Sequence, residues 1–196
     1  MNYKDYLDIA KKTAIKAGDF LIKNKLNKKV VLAEEGRDIK LELDRETENL
    51  IRKELEKTNI IILGEEFGGE ISSKSLRWVI DPIDGTANYF RGLDQCCVSI
   101  ALMDQDKSKL GIVYNFNNGE IYSAAEGYGC YLNDSKINVS DIDQKNKASI
   151  TTGFPASETI DSQYEFLDEL QGWKKIRMFG SAALSCAYIA SGKCDY

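Results

Sequence analysis

Residues 76–89 read LRWVIDPIDGTANY, an apolar run that passes directly into two aspartates. The first five residues are typical of a buried strand, which we expect to end at Asp81-Pro82. Pro82 restricts the backbone of the turn, so Asp81 and Asp84 can both face one site. An Asp-Pro-x-Asp-Gly segment is also an ordinary turn sequence, and this plainer interpretation stays open on the segment alone.

A second acidic pair follows a similar apolar run. Residues 59–63 read NIIIL, which predicts a strand buried on both faces, and the run stops at Gly64-Glu65-Glu66. Acids at the tips of strands can meet at one end of a sheet, where they repel unless a cation holds them. Carboxylate oxygens favour magnesium, calcium or manganese over softer metals. A solvated acidic turn is the alternative for Glu65 and Glu66.

The amino-acid composition restricts the kinds of catalysis, metal site and partner that the protein can have. The 196 residues are 43% hydrophobic and 29% charged, as expected for a globular protein. The net charge of −5 argues against a nucleic-acid partner. The absence of histidine excludes Ser-His-Asp catalysis and His-ligated metals. The five cysteines show no CxxC spacing, which predicts reduced thiols. The sequence shows neither a signal peptide nor a membrane-spanning run, so we expect a cytoplasmic protein with no membrane partner.

The order of the predicted elements indicates an α+β protein with stacked layers of helix and sheet. We expect one layer over residues 1–140, which carries the acidic motifs, and the start of a second layer over residues 141–196. Asp44 is expected to cap the second helix. The predicted helices cover 3–26, 44–57, 158–171 and 181–191, and the later strands cover 97–103, 110–116, 120–124, 148–152 and 176–178, the first three of these as an antiparallel meander.

Several motifs together resemble the inositol monophosphatase family, over about residues 3–196. These are Gly64-Glu65-Glu66, the 78–89 segment, Val98-Ser99-Ile100, Gly127 to Asn133 and Gly180-Ser181-Ala182-Ala183. The resemblance implies a layered α/β sandwich of the sugar phosphatase type. It also implies magnesium-dependent hydrolysis of a small phosphate monoester, such as an inositol monophosphate or related sugar phosphate, by metal-activated water. A phosphoadenosine phosphate or fructose bisphosphate phosphatase of the same fold is an alternative, and an inactive scaffold that binds metal or phosphate is another.

The resemblance also implies a role for each matching residue. Asp44 and Ser181 have a simpler alternative role as helix caps. Glu65, Asp81, Asp84 and the Ile83 carbonyl would bind metal, and Glu65 would also activate the attacking water, while Asp84 would also bind substrate. The amides of Gly85 and Thr86 would bind phosphate, and the Thr86 hydroxyl, supported by Asp44, would position the water. Gly180, Ser181 and Ala182 would form the pocket for the substrate alcohol.

The resemblance leads us to expect one further metal-binding aspartate in a W-D-x-A-A-like motif, whereas the sequence stops at Asp195-Tyr196. We therefore expect a chain that lacks the last part of the second layer, binds one metal well and hydrolyses monoesters poorly. Mg²⁺ is the expected cofactor, with Mn²⁺ as a substitute and Li⁺ as an inhibitor. The expected partners are a small phosphorylated substrate and a second copy of the chain in a homodimer.

Overall fold

The computed structural model describes residues 2–27, 30–35, 38–69, 76–154 and 164–196. They form five α-helices, one short 3-10 helix (Glu56–Thr58) and eleven strands in a mixed α+β order. The helices are α1 (Tyr3–Asn24), α2 (Glu42–Leu55), α3 (Thr86–Arg91), α4 (Tyr164–Glu169) and α5 (Ala182–Ala190), and the strands are β1 (Val31–Glu35), β2 (Asp38–Leu41), β3 (Ile61–Gly64), β4 (Leu76–Asp84), β5 (Cys97–Asp104), β6 (Lys107–Asn115), β7 (Glu120–Ala125), β8 (Gly129–Leu132), β9 (Ser135–Lys136), β10 (Ser149–Thr151) and β11 (Lys175–Arg177).

The predicted amphipathic helix at the start of the chain is confirmed as α1. Its buried residues recur at helical spacing from Leu7 to Leu21 and face β5, β6 and β7. Gly18 lets the helix approach the sheet closely, because a Cβ there would lie 2.5 Å from a ring carbon of Tyr114. Asn2 accepts a hydrogen bond from the Asp5 amide, and the Asp5 carboxylate accepts one from the Asn2 amide, which closes a capping box.

The second helix starts earlier than predicted, so the assignment of Asp44 as its N-cap is wrong. α2 begins at Glu42, and Leu41 occupies the N-cap position in an extended conformation. Asp44 lies in the first turn, where its carboxylate accepts a hydrogen bond from the Leu41 amide at 2.7 Å. A carboxylate in the first turn can bond an amide that has no partner within the helix, as an N-cap side chain also does. The sequence alone therefore does not show whether Asp44 is the N-cap residue or lies in the first turn.

A seven-stranded sheet, in the order β3-β4-β5-β6-β7-β8-β9, forms the centre of the described structure. The predicted meander is confirmed, because β5, β6 and β7 pair antiparallel in sequence order. The β3–β4 pair is parallel and sets Gly64 opposite Ile80. Strand β3 was expected to be buried on both faces, but Ile61 is 41% exposed because β3 lies at the end of the strand order.

Strand β4 continues past the predicted stop at Asp81. Asp81 pairs with Ser99 and Asp84 pairs with Cys97, with an irregularity in the register between them. A bulge of this kind bends a strand and redirects its side chains. The two aspartates therefore belong to the irregular end of a central strand, and the plain-turn interpretation of this segment does not describe its structure.

The C-terminal part of the described chain contains a small parallel sheet of β10 and β11 and the helices α4 and α5. The helix predicted over 158–171 is present at Tyr164–Glu169, and residues 155–163 lie outside the described part. Helix α5 contacts β5 and β6 of the large sheet. The division of the chain near residue 140 stays a prediction. No helix among the described residues is long and apolar enough to cross a bilayer.

Candidate active site

The parallel pairing of β3 and β4 brings the two acidic motifs together. Gly64 lies opposite Ile80, so the next residues along the strands, Glu65 and Asp81, are neighbours. Glu65 and Asp81 share a hydrogen bond, and Asp84 is close enough to act on Asp81 through its charge. Burial, followed by the charges of Glu65 and Asp84, raises the pKa of Asp81 well above its usual range. The predicted convergence of carboxylates at one end of the sheet is therefore observed.

Hydrogen bonds within the 81–86 segment hold the turn after Asp81. The Ile83 amide donates to the Asp81 carboxylate at 3.0 Å, and the Thr86 hydroxyl donates to the Ile83 carbonyl at 2.8 Å. Gly85 has a φ of +89° and a Cβ there would lie 2.8 Å from the Gln95 carbonyl oxygen, so both the conformation and the space require glycine. The first amides of α3 follow directly and have no acceptor within the helix.

Asp44 reaches this turn from α2. Its second carboxylate oxygen lies 3.3 Å from the Thr86 hydroxyl, so Asp44 contacts the residue that the resemblance assigned to it. Burial raises the pKa of Asp44 to about 7, and the charges of Glu66 and Glu65 add to the effect, while the hydrogen bond from the Leu41 amide opposes it. Asp44 therefore belongs to the same group of interacting carboxylates.

Asp84 connects the end of β4 to the start of α5. Its carboxylate accepts hydrogen bonds from the Ser181 hydroxyl and from the amides of Ala182, at 3.1 Å, and Ala183, at 2.7 Å. Ser181 also accepts from the Leu184 amide at 3.3 Å and is the N-cap of α5. The predicted cap role of Ser181 is confirmed, and its bond to Asp84 places it next to the acidic motif as well.

Two residues that support the site, Glu48 and Asn88, were given no such role from the sequence. Glu48 is fully buried and accepts hydrogen bonds from the amides of Glu66 and Phe67 and from Arg52. Asn88 donates to the carbonyls of Gln95 and Phe179, both at 2.7 Å, and thereby ties α3 to the segment before α5. A glutamate four residues before an arginine, on the helix face that also carries Ile51 and Leu55, is a sequence signal that could have indicated the first of these contacts.

The Cys97 thiol lies beside the Asp84 carboxylate, at 3.6 Å, and burial raises its pKa well above the usual range. Cys97 is thus a neutral buried thiol packed at the start of β5. The described cysteines are all free thiols.

A cavity of about 600 Å³ opens next to Asp84. The predicted alcohol-binding residues Gly180, Ser181 and Ala182 lie along its wall with Asp84, whereas Glu65, Asp81 and Thr86 are not part of the lining. Its other walls come from Thr152, Gly153 and Phe154 after β10 and from Ser185 and Cys186 of α5. A volume of this size is typical of a pocket for a small organic ligand.

The donor atoms at this site have the chemistry of a hard-cation site. Glu65, Asp81, Asp84 and the Ile83 carbonyl supply oxygen atoms only, which suits magnesium or manganese. Mutual repulsion among the carboxylates shows that the group is short of positive charge. Within the described ranges, no three His, Cys, Asp or Glu side chains are already arranged closely enough to enclose one ion.

Comparison with known proteins finds relatives that match almost the whole chain. The model of the inositol monophosphatase family matches residues 2–196. A Xylella fastidiosa protein named Nus factor SuhB is 36% identical over 98% of this chain and 72% of its own length. An Aquifex aeolicus protein named fructose-1,6-bisphosphatase/inositol-1-monophosphatase is 31% identical over 99% of this chain and 76% of its own length.

Solved structures give the same result. The extragenic suppressor protein SuhB of Bartonella henselae aligns with a TM-score of 0.89 and 32% identity, over 97% of this chain and 76% of that one. The Thermotoga maritima IMPase aligns with a TM-score of 0.86 and 32% identity, over 97% of this chain and 74% of that one.

The fold is thus the α+β layered sandwich of sugar phosphatases, as predicted. The chain belongs to the inositol monophosphatase family and spans about three quarters of the length of these relatives.

Proposed function

We propose that the protein hydrolyses a small phosphate monoester with magnesium, most simply an inositol monophosphate or a related sugar phosphate. The observation that supports this most directly is the meeting of Glu65, Asp81 and Asp84 at the end of β3 and β4, where their repulsion and burial raise the pKa of Asp81. Neighbouring carboxylates that repel each other are stabilised by a divalent cation. The name of the Aquifex aeolicus relative points to the same class of reaction.

Glu65, Asp81, Asp84 and the Ile83 carbonyl are the groups that we propose hold magnesium. When bound, magnesium supplies the positive charge that acidifies a water molecule and stabilises the leaving oxygen. Manganese has the same ligand preference, and inhibition by lithium stays a prediction from the resemblance. The homodimer and the cytoplasmic location also stay predictions, and light scattering of the purified protein measures the first.

The remaining steps concern the residues of the chain itself. Glu65 would take the proton of the attacking water, which is the role that the family resemblance implies for it. The Thr86 hydroxyl already donates to the Ile83 carbonyl, so its lone pairs are what it offers to orient that water. The amides of Gly85, the N-cap residue of α3, and of Thr86, its first residue, would bind the phosphoryl oxygens, because neither amide has an acceptor within the helix. The cavity beside Asp84 and Gly180–Ala182 would then receive the alcohol part of the substrate.

Two other functions remain to be separated from this one. The Xylella fastidiosa relative is named a Nus factor, so family membership leaves a role of that kind open, and the absence of a nucleic-acid partner stays a prediction. An inactive scaffold that binds metal or phosphate is the second alternative. The carboxylate group with its adjoining turn favours the enzyme, because neither alternative requires the Asp44–Thr86 contact.

Thermal unfolding with and without magnesium tests the metal site apart from activity. A cation that binds only the native state stabilises it by about 2.7 kcal/mol at a hundredfold excess over its Kd. We expect Mg²⁺ to raise the Tm of the wild type and not that of Asp81→Asn, while the exposed Asp134→Asn serves as the matched control and keeps the shift. Phosphate release from a panel of monoesters then tests the reaction. A Tm shift in Asp81→Asn equal to that of the wild type would contradict the proposed site.

A further inference from the structure

The Asn88 side chain connects two segments that lie far apart along the chain. Its amide nitrogen donates hydrogen bonds to the carbonyl oxygens of Gln95 and Phe179, each at 2.7 Å, and lies 3.4 Å from the carbonyl oxygen of Gly180. Because a side-chain amide has two hydrogens, both bonds can form at once. Asn88 therefore binds the loop before β5 and the segment before α5 to one helix, α3.

The fit between Asn88 and Gly180 is close. Gly180 has a φ of +67°, and a Cβ there would lie 3.0 Å from the Asn88 side-chain nitrogen. A Cβ on Gly85 would lie 3.1 Å from the Gly180 carbonyl oxygen and 3.3 Å from the Ser181 Cβ. The segment before α5 therefore packs directly against the turn that contains Gly85.

Residues 180–182, which we call the alcohol wall, border the cavity and are fixed from two sides. On the α5 side, the Phe179 ring packs edge to face on Tyr188, with 5.0 Å between the centroids and 79° between the planes. On the α3 side, Asn88 holds the Phe179 carbonyl. A ring contact orients the side chain, whereas a hydrogen bond to the carbonyl fixes the backbone. Asn88 therefore sets the distance from α3 to the alcohol wall.

Residues 81–86, which we call the phosphate turn, keep their own support when the Asn88 side chain is removed. The Ile83 amide donates to the Asp81 carboxylate at 3.0 Å, and the Thr86 hydroxyl donates to the Ile83 carbonyl at 2.8 Å. Neither of these bonds involves Asn88. The phosphate turn and the alcohol wall are therefore held by different hydrogen bonds, and one can be disturbed without the other.

We propose that Asn88 is a positioning residue that determines whether one phosphate ester spans both the phosphate turn and the alcohol wall. It does not touch the substrate, and it acts by holding the Phe179 carbonyl at a fixed distance from α3. Without this bond the alcohol wall moves, so a ring alcohol such as myo-inositol loses contacts while phosphate keeps its amides. The inference rests on the proposed function, because that function assigns the cavity to the alcohol part of the substrate.

Occupancy of the two parts of the site can be measured separately and without turnover. Cys186 lines the cavity and is the exposed cysteine among the described thiols, so its alkylation by iodoacetamide, located by peptide mass analysis, reports on the cavity. Protection by myo-inositol, titrated with Mg²⁺ and inorganic phosphate present, measures binding at the alcohol wall. The rise in Tm on addition of inorganic phosphate with Mg²⁺ measures binding at the phosphate turn. Cys186→Ser verifies the source of the alkylation signal.

In Asn88→Ala and Asn88→Leu, we expect the myo-inositol concentration for half protection to rise about tenfold, the effect of one lost hydrogen bond. The phosphate concentration for half of the Tm rise should change by less than about threefold, because the phosphate turn keeps its bonds. Leucine has the branched shape of asparagine without its donors, so it separates loss of the hydrogen bonds from loss of volume.

Asn117→Ala is the matched control. Asn117 donates to the Asp94 carbonyl at 3.1 Å, on the same loop that Asn88 binds at Gln95, but its hydrogen bonds do not reach the alcohol wall. Its replacement should therefore change neither the protection by myo-inositol nor the response to phosphate.

Gly180→Ala disturbs the same contact from the other partner. The added Cβ would lie 3.0 Å from the Asn88 nitrogen, so it should push the alcohol wall away and weaken protection by myo-inositol more than it weakens phosphate binding. This variant keeps the inference testable if circular dichroism shows that the Asn88 variants do not fold.

Each outcome decides one of the two proposals. Equal loss of myo-inositol protection and of the phosphate response in the Asn88 variants overturns the inference, because a general loss of structure has that effect. Wild-type protection in a folded Asn88 or Gly180 variant also overturns it, as does weakened protection in Asn117→Ala. If myo-inositol fails to protect the wild type while phosphate raises its Tm, the inference is overturned and the phosphate site of the proposed function stands. If phosphate fails to raise the Tm while protection by myo-inositol depends on Asn88, the proposed function is contradicted and the role of Asn88 at the cavity stands.

Discussion

A double-mutant cycle at Glu48 and Gly64 tests the support of the Glu65 turn. The Glu48 carboxylate is fully buried and accepts bonds from Arg52 at 2.7 Å, from the Glu66 amide at 2.7 Å and from the Phe67 amide at 3.3 Å. A Cβ on Gly64 would lie 1.9 Å from the same carboxylate. Glycine at position 64 therefore makes room for Glu48 itself.

The magnitudes follow from these contacts. Removal of one partner from a buried ion pair costs about 3–5 kcal/mol. Because the Arg52 side chain is 21% exposed, we expect about 2–4 kcal/mol for Glu48→Ala. Gly64→Ala should lower the stability by about 1–3 kcal/mol through overpacking. The strand backbone at the end of β3 accommodates alanine, so backbone strain does not add to this cost. In the double variant the clash is gone, so its cost should equal that of Glu48→Ala alone.

Urea unfolding of the four proteins, followed by circular dichroism, gives the coupling energy. We expect about −1 to −3 kcal/mol, within the range for residues in contact. Gly111→Ala is the matched control, because a Cβ at Gly111 meets nothing within 4 Å, and it should add to Glu48→Ala within about 0.5 kcal/mol. Additive costs for Gly64→Ala and Glu48→Ala would refute the account of why position 64 is glycine.

Two further predictions concern the turn after β4. Burial raises the folded-state pKa of Asp44 to about 7, so its protonation stabilises the metal-free protein fully below about pH 4, the unfolded value, and this contribution is lost as the pH rises through about 7. When the free energy of unfolding is measured in EDTA at a series of pH values, it should change less with pH in Asp44→Asn than in the wild type. Parallel pH profiles for the two proteins would contradict this prediction. Gly85→Ala should lower the free energy of unfolding in urea by about 1–3 kcal/mol, because φ is +89° and the added Cβ would lie 2.8 Å from the Gln95 carbonyl oxygen. Gly119→Ala is the control, because Gly119 has a similar φ of +73° but open space around it, and it should cost less in the same measurement.

Local patterns were sufficient to predict several parts of this protein. The apolar spacing of α1 and the alternation of β5, β6 and β7 are properties of short segments, and short-range geometry decides them. The motif at 78–89 predicted where the acidic group lies, because a strand followed by Asp-Pro-x-Asp-Gly puts both carboxylates at one end of the strand. Family membership also followed from the sequence motifs, and the comparisons confirmed it.

Contacts between distant segments could be decided only by the tertiary structure. Periodicity cannot show that β3 runs parallel to β4 with Gly64 opposite Ile80, and this register is what places Glu65 beside Asp81. The same holds for Glu48 beneath the Glu66 amide, since a buried carboxylate on a helix becomes favourable only when donors from another segment reach it. Asp84 at the start of α5 is a third case, because its partners lie almost a hundred residues away and no local signal encodes their approach.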